Sequence, residues 1–250
     1  MESYDPDNLL DRLSDPATLD LHYSRLRERE RELLGARLDL DGGGDVLAVG
    51  CGRDPGRHLF PAPAWRMTGV ELEEEWPRML VESGELDHGF AGRAGELDRL
   101  EDGSFDVVLY RYVLHHIAFQ GALAPVFEEA ARLLRPGGLL VAMEPGALHP
   151  VGSGLSLANR LGLGVAVHGT PDDVPLTAER LERESRATGL DPEVLAVTYG
   201  WRRLPPLLQR AAWQLDRPLG ERRRTARFGH TLMLVARLPT QRGATVPQRP

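Results

Sequence analysis

The stretch Asp45-Val-Leu-Ala-Val-Gly-Cys-Gly-Arg-Asp-Pro-Gly56 constrains this chain more than any other. Val46 to Val49 form a short apolar run that stops at Gly50-Cys51-Gly52. Such a run, closed by glycines, predicts a strand buried on both faces, as in a parallel sheet. The glycines let the backbone turn sharply and approach a ligand closely, because no Cβ intervenes. A strand of this kind delivers its loop to the carboxyl edge of an open α/β sheet, where ligands bind.

What the loop lacks narrows the ligand. A dinucleotide fingerprint, G-x-G-x-x-G, needs glycines at 50, 52 and 55, and position 55 is Pro55. The phosphate loop G-x-x-x-x-G-K-[ST] is excluded because the chain has no lysine. Val46-Leu-Ala-Val-Gly-Cys-Gly-Arg-Asp54 instead resembles the first motif of the class I S-adenosylmethionine (SAM) methyltransferases. It departs from that motif twice: Ala48 replaces the usual acid, and Asp54 the usual third glycine.

Later segments extend the resemblance. Asp102-Gly-Ser-Phe-Asp-Val-Val-Leu-Tyr110 resembles the family's approach to its fourth strand, and Val113-Leu-His-His116 its V-L-H-H element. Leu133-Leu-Arg-Pro-Gly-Gly-Leu-Leu-Val-Ala-Met-Glu-Pro145 is similar to its L-R-P-G-G-x-L-x-x-x-E-P signature. The resemblance covers Asp45 to Pro145 and returns weakly at Phe228 to Leu238, which reads as a last, antiparallel strand. It implies a Rossmann-like α/β fold: a mostly parallel seven-stranded sheet with helices on both faces and a final antiparallel strand.

The local patterns fit that expectation. Leu19, Tyr23, Leu26, Leu33, Leu34 and Leu38 recur at helical spacing, predicting a helix over residues 17–38. Strands are expected at 66–71, 88–91, 105–110, 139–143 and 193–199. Helices are expected at 122–134, ended by Arg135-Pro-Gly-Gly138, and at 177–188, with Thr177 as N-cap. Strand followed by helix, five times over, predicts right-handed parallel crossovers. We read residues 1–238 as one domain, with a helical cap at 1–40 and a flexible tail at 239–250. The segments 151–175 and 200–220 are additions, suited to an acceptor pocket or a dimer contact. In the second, Leu204, Leu207, Leu208, Ala211, Ala212 and Leu215 mark the apolar face.

The resemblance also assigns residues. Glu71, 19 residues after Gly52, matches the family's ribose-binding acid; alternatively it opens a solvated helix with Glu73, Glu74 and Glu75. An ionised carboxylate has two oxygens to offer two hydroxyls. Ala94 stands where an adenine-binding acid is usual, and Glu96 either replaces that acid or solvates its loop. Gly50, Cys51, Gly52, Arg53, Leu72, Arg111 and Tyr23 complete the expected cofactor set. His115, His116 and Tyr112 are the candidate catalytic residues, and Tyr112, Glu144 and His149 the candidate acceptor contacts. Histidine suits proton removal near neutral pH; each histidine here is equally read as packing or capping beneath the cofactor. Tyr112 either orients the acceptor or covers the methionine portion.

Composition sets the outer limits. The formal charge of −7 argues against a nucleic-acid partner; Arg222-Arg-Arg-Thr-Ala-Arg227 reads as a solvated turn or an anion-binding edge. Cys51 is the single cysteine, so no internal disulfide and no cysteine zinc site are expected, and no metal is predicted. No apolar run approaches the ~20 residues of a membrane span, and no signal peptide is visible. The expectation is a cytoplasmic enzyme, with a homodimer as one option, moving a methyl group from SAM to an O, N or C nucleophile of a small molecule, with specialised metabolism as its setting. The alternative is a methyltransferase-fold protein that does not methylate: a SAM-binding scaffold, a partner subunit or a repurposed pocket.

Overall fold

A computed structural model describes residues 16–162 and 174–240. Residues 1–15 of the expected helical cap, residues 163–173 of the first addition and the expected tail from 241 lie outside the described residues. One seven-stranded sheet runs in the order β3-β2-β1-β4-β5-β7-β6. Its strands are β1 Gly44–Val49, β2 Trp65–Glu71, β3 His88–Ala91, β4 Phe105–Arg111, β5 Leu134–Pro145, β6 Asp191–Thr198 and β7 Thr231–Arg237. β1 to β5 pair in parallel, and β7 is antiparallel to both β5 and β6. The strand order reverses between β1 and β4, and ligands of open α/β sheets bind at such a point.

The apolar run of β1 serves two cores because successive side chains point to opposite faces. Leu47 and Val49 join Val108, Tyr110 and Phe127 on one side. Val46 and Ala48 join Leu33, Leu34, Phe60, Val107 and Leu109 on the other. Eight helices flank the sheet among the described residues: α1 Pro16–Gly35, α2 Glu75–Glu82, α3 Leu114–Gln120, α4 Ala124–Leu133, α5 Pro150–Arg160, α6 Ala178–Ala187, α7 Pro206–Gly220 and α8 Arg223–Ala226. Thr177 caps α6, its hydroxyl accepting from the Arg180 N–H at 3.1 Å. None of the helices is long and apolar enough to cross a membrane.

Three expectations are corrected. The strand-helix alternation fails twice, since only turns join β1 to β2 and β3 to β4. Pro55, Pro61 and Pro63 explain the first case, because proline removes an N–H and drives the preceding residue out of helical backbone. The face left open is covered by α1 together with Leu59 and Phe60. Second, β5 starts at Leu134, directly after α4, and Leu134 already pairs with Phe105. Arg135, expected in a turn, instead bridges Asp45 and Asp106.

Third, α7 packs the opposite way from its leucine pattern. Leu207, Leu208 and Leu215 are exposed, while Gln209, Trp213 and Asp216 face inward. Polar partners decide this. The Gln209 side-chain amide donates to the Arg202 and Leu204 carbonyls, and Asp216 accepts from the Tyr199 N–H at 2.8 Å.

Candidate active site

The carboxyl ends of the strands open into a cavity of about 660 Å³. Its first half is built by β1 and β2. Gly50, at φ +66°, donates to the Val70 carbonyl at 2.8 Å. A Cβ there would stand 2.4 Å from Val113 Cγ2, so only glycine lets the loop pass under α3. Gly52, at φ +46°, has open space where its Cβ would be, leaving its backbone bare to the cavity. Glu71 ends β2 and also lines the cavity. Its Oε2 accepts from the Gly52 N–H at 3.0 Å, and its Oε1 from the Leu72 N–H at 2.8 Å.

Leu72, Cys51 and Arg53 line the same half, with Arg53 over the Trp76 ring at 4.6 Å. Burial, with help from Glu71, pushes the Cys51 thiol up to about 12, so it stays neutral. Glu96 does not line the cavity: it is exposed beside Arg93 at 3.9 Å. Glu129 of α4 accepts from the Gly95 and Leu97 N–H groups, and this grip turns Glu96 outward and leaves Ala94 facing in.

Asp54, where the family has glycine, is held by ion pairs. Arg111 reaches it at 2.9 Å and Arg27 at 3.2 Å, and Asp54 also accepts from the Gly56 N–H at 3.1 Å. Burial alone would raise the Asp54 pKa, but Arg111 and this N–H bond hold it well below the usual carboxylate range. Arg111 also pairs with the fully buried Glu30 of α1 at 3.2 Å. Its guanidinium thus ties β4 to the β1 loop and to α1, in addition to lining the cavity.

Past Arg111 the chain turns at Tyr112, which adopts φ +55°. A tyrosine in left-handed backbone costs on the order of 1 kcal/mol or more, and such strain persists only where the surroundings impose it. Two contacts do so. The Tyr112 N–H donates to Met143 O at 2.8 Å. Glu144, at the end of β5, accepts from the N–H groups of Val113 and Leu114 at 3.1 and 2.8 Å. Glu144 Oε2 also takes His115 Nδ1 at 2.6 Å. Negative charge at the start of α3 suits the exposed N–H groups there.

His115, a catalytic candidate, and Glu144, a candidate acceptor contact, are both buried, and neither lines the cavity. His116, its ring 4.0 Å from that of His115, does line it, as does Tyr112. Glu144→Ala should lower unfolding stability by about 3 kcal/mol, from several charge-assisted bonds lost at once. Urea titration checks the value, and a loss below about 1 kcal/mol contradicts this account.

The second half of the cavity comes from residues that no motif marked: His22, Trp201, Arg202, Arg203, His230 and Thr231. Tyr23 joins them from α1, and Arg202 donates to its hydroxyl at 2.8 Å. His230 is pushed down to about 3 by burial, then by His149, His22 and Arg202. His22 is pushed down to about 4 by burial and Arg202. His149 is corrected as a cavity contact: it stands behind His230, ring to ring at 5.1 Å. The sequence placed Trp201, Arg202 and Arg203 within the 200–220 addition and His230 and Thr231 within the last strand segment, but singled out none of these side chains, which come from α1, from the loop after β6 and from the start of β7. Among the described residues, no group of three His, Cys, Asp or Glu side chains is arranged to hold a metal ion.

A reversed strand order, an open glycine bend and a carboxylate ending the neighbouring strand are features of α/β domains that bind ligands at the carboxyl edge of the sheet. A family profile described as "Methyltransferase domain" matches residues 47–142. A probable SAM-dependent methyltransferase of Mycolicibacterium smegmatis is 33% identical over 159 residues, 56% of this chain and 55% of that protein. The 27-O-demethylrifamycin SV methyltransferase of Amycolatopsis mediterranei is 28% identical over 187 residues, covering 71% and 63%. A crystal structure of a SAM-dependent methyltransferase from Thermotoga maritima superposes with a TM-score of 0.58 at 18% identity, covering 85% and 89%, and so shares the fold. The chain spans about half the length of the curated relatives it matches.

Residues 47–142 thus match the methyltransferase-domain family, and the fold is the one its SAM-dependent members share. SAM is the cofactor of that family, and the residues present fit it. Gly52 leaves room for close approach, and Glu71 presents a carboxylate beside it.

Proposed function

We propose that this chain moves a methyl group from SAM to a nucleophile on a small molecule. The observation that carries this is the Glu71 carboxylate pinned at the cavity rim by the Gly52 N–H. Bound SAM supplies a methyl group already activated by its sulfonium, so the protein's task is alignment. Gly50, Cys51 and Gly52 pass beneath the donor, and Glu71 accepts from its ribose hydroxyls. Leu72, Arg53 and the Ala94 loop border it, while Tyr23, expected beside the donor, stands with the other half of the cavity. Arg111 acts through its ion pairs, keeping the glycine loop in place.

Tyr112 and His116 stand on the acceptor side, and His116 is the V-L-H-H member that takes a proton when the nucleophile is a hydroxyl. His115 and Glu144 position Tyr112, and His149 backs His230. The Amycolatopsis relative is named for a small-molecule acceptor, which supports the same class of substrate here and a role in specialised metabolism. A single, buried, unbridged cysteine accords with a reducing cytoplasm.

Isothermal titration with SAM and S-adenosylhomocysteine tests this. Both should bind, and Glu71→Ala should weaken them by roughly 1.5–3 kcal/mol, the worth of charge-assisted hydrogen bonds. No binding to folded protein at millimolar ligand would end the proposal. Binding without turnover on any acceptor would favour a scaffold that holds SAM.

A further inference from the structure

The outward face of α7 is apolar and carries no acid. Positions 207, 211, 215 and 218 of a helix share one face, with 208 beside them. Here these are Leu207, Ala211, Leu215, Pro218 and Leu208, all exposed. Leu207 is 79% exposed, Leu208 56% and Leu215 45%, too much for side chains that serve the protein's own core. Gln209, Trp213 and Asp216 take the inward face.

Arginine borders this stripe. Arg210 and Arg217 flank it along one side, and Arg222 and Arg224 follow the carboxyl end of the helix. Residues 206–227 hold six arginines and two acids, in a chain of net charge −7. Both acids are already engaged, Asp216 with the Tyr199 N–H and Glu221 with Arg29 at 3.1 Å. Arg217 pairs with Glu32 at 3.4 Å, Arg223 with Glu182 at 2.9 Å and Arg227 with Glu179 at 3.5 Å. Arg210, Arg222 and Arg224 are exposed and have no ion pair among the described residues.

We propose that this face of α7 docks on an anionic lipid surface, its leucines entering the headgroup boundary and its arginines meeting the lipid phosphates. An aliphatic stripe bordered by arginine is the pattern of a helix lying in a membrane interface. Charge argues against a second copy, because a two-fold contact sets the patch against itself, arginine facing arginine. Residue type argues against a protein partner. Such interfaces are anchored by aromatic side chains, with leucine under-represented at their energetic centres, and the one aromatic of α7, Trp213, is turned inward. A nucleic acid would use the arginines and leave the leucines in water. The acidic chain as a whole does not prevent docking, because salt screens charges over about 8 Å and the lipid therefore meets the local arginines.

Docking also orients the cavity. Trp201, Arg202 and Arg203 line it, and the Leu204 N–H donates to the Trp201 carbonyl at 2.9 Å in the turn that leads into α7. Leu207 and Leu208 follow within five residues of that lining, so a docked protein holds the second half of its cavity beside the lipid. The inference stands on this surface alone and does not depend on the chemistry inside the cavity.

Co-sedimentation of the full-length protein with vesicles tests it. Vesicles of equal parts phosphatidylcholine and phosphatidylglycerol should bind on the order of tenfold tighter than phosphatidylcholine alone, and molar salt should remove the difference. Leu207→Gln with Leu208→Gln should weaken binding on the order of tenfold. Arg210→Gln, Arg222→Gln and Arg224→Gln together should abolish the preference for anionic lipid. All five side chains are exposed, so both variants should keep the wild-type circular dichroism spectrum. Equal association with the two kinds of vesicle overturns the proposal. So does an anionic preference that both variants retain in full, which would assign it to another part of the chain. Equal affinity for polyglutamate or duplex DNA, unaffected by the leucine variant, would reduce the face to a general polyanion site and also overturn it. A dimer that the leucine variant abolishes, without vesicle binding, would make the face a contact between copies instead.

Discussion

Arg111→Met should destabilise the protein by about 3–5 kcal/mol, the cost of leaving buried charge without its partner. Glu30 is fully buried, and its Oε2 takes both Arg111 at 3.2 Å and His58 at 2.9 Å, while its Oε1 has no partner. Asp54 loses its nearest cation in the same substitution. Burial alone would lower the Arg111 pKa, yet Glu30 and Asp54 hold it above its ordinary value. The charged state is therefore the one the fold depends on. Lysine should not rescue it, because a single ammonium cannot reproduce a fork that reaches two carboxylates. The double variant Glu30→Met, Arg111→Met should recover part of the loss, since it removes both charges of a buried pair. Urea unfolding followed by circular dichroism gives the values. A loss below about 1 kcal/mol would class the pair with exposed ion pairs, which contribute little.

Acidification should produce the second large effect, a net fall in stability on the order of 3–4 kcal/mol between pH 7 and 4. Histidine in the unfolded chain titrates near 6.5. In the folded protein burial holds His22 at about 4 and His230 at about 3. Below pH 6.5 the unfolded chain therefore binds protons that the folded one refuses, so stability rises with pH across this window and is lost as pH falls. Asp216 acts in the opposite sense. Its carboxyl is raised to about 6 by burial, so the folded state takes up a proton first and gains stability as pH drops from about 6 towards 4. Two histidines outweigh one carboxyl, and the net slope remains unfavourable in acid. His22→Gln with His230→Gln should flatten the profile above pH 4. An unchanged slope in that variant would place the acid sensitivity elsewhere.

The strands of the sheet were legible because each announces itself locally. Val46 to Val49 and Val107 to Tyr110 are apolar without alternation, and burial on both faces is the packing that accounts for it. Thr177 before a helical stretch and Gly50 before a sharp bend are likewise single-residue statements about backbone geometry. The helices were less legible. The leucines of α7 predicted a buried face, but Gln209 and Asp216 face inward instead, where the Gln209 amide donates to two carbonyls and Asp216 accepts from the Tyr199 N–H, while Gln209 Oε1 has no partner. The turns between β1 and β2 hide in the same way, since α1 covers a face that a local helix was expected to cover.

The site divides along the same line. The half proposed for the donor centres on residues 50–72 of continuous chain, where glycine conformation and one acid at the end of β2 carry the information, so sequence alone pointed to the strands and to this half. Its acceptor half gathers His22, Tyr23, Trp201, Arg202, Arg203 and His230 from three remote segments. Their meeting is a consequence of sheet order and helix packing, which have no local signature. Tertiary structure alone therefore decided which of His115 and His116 lines the cavity, that Glu144 supports the site from beneath, and that His22, Trp201 and His230 meet in its far wall.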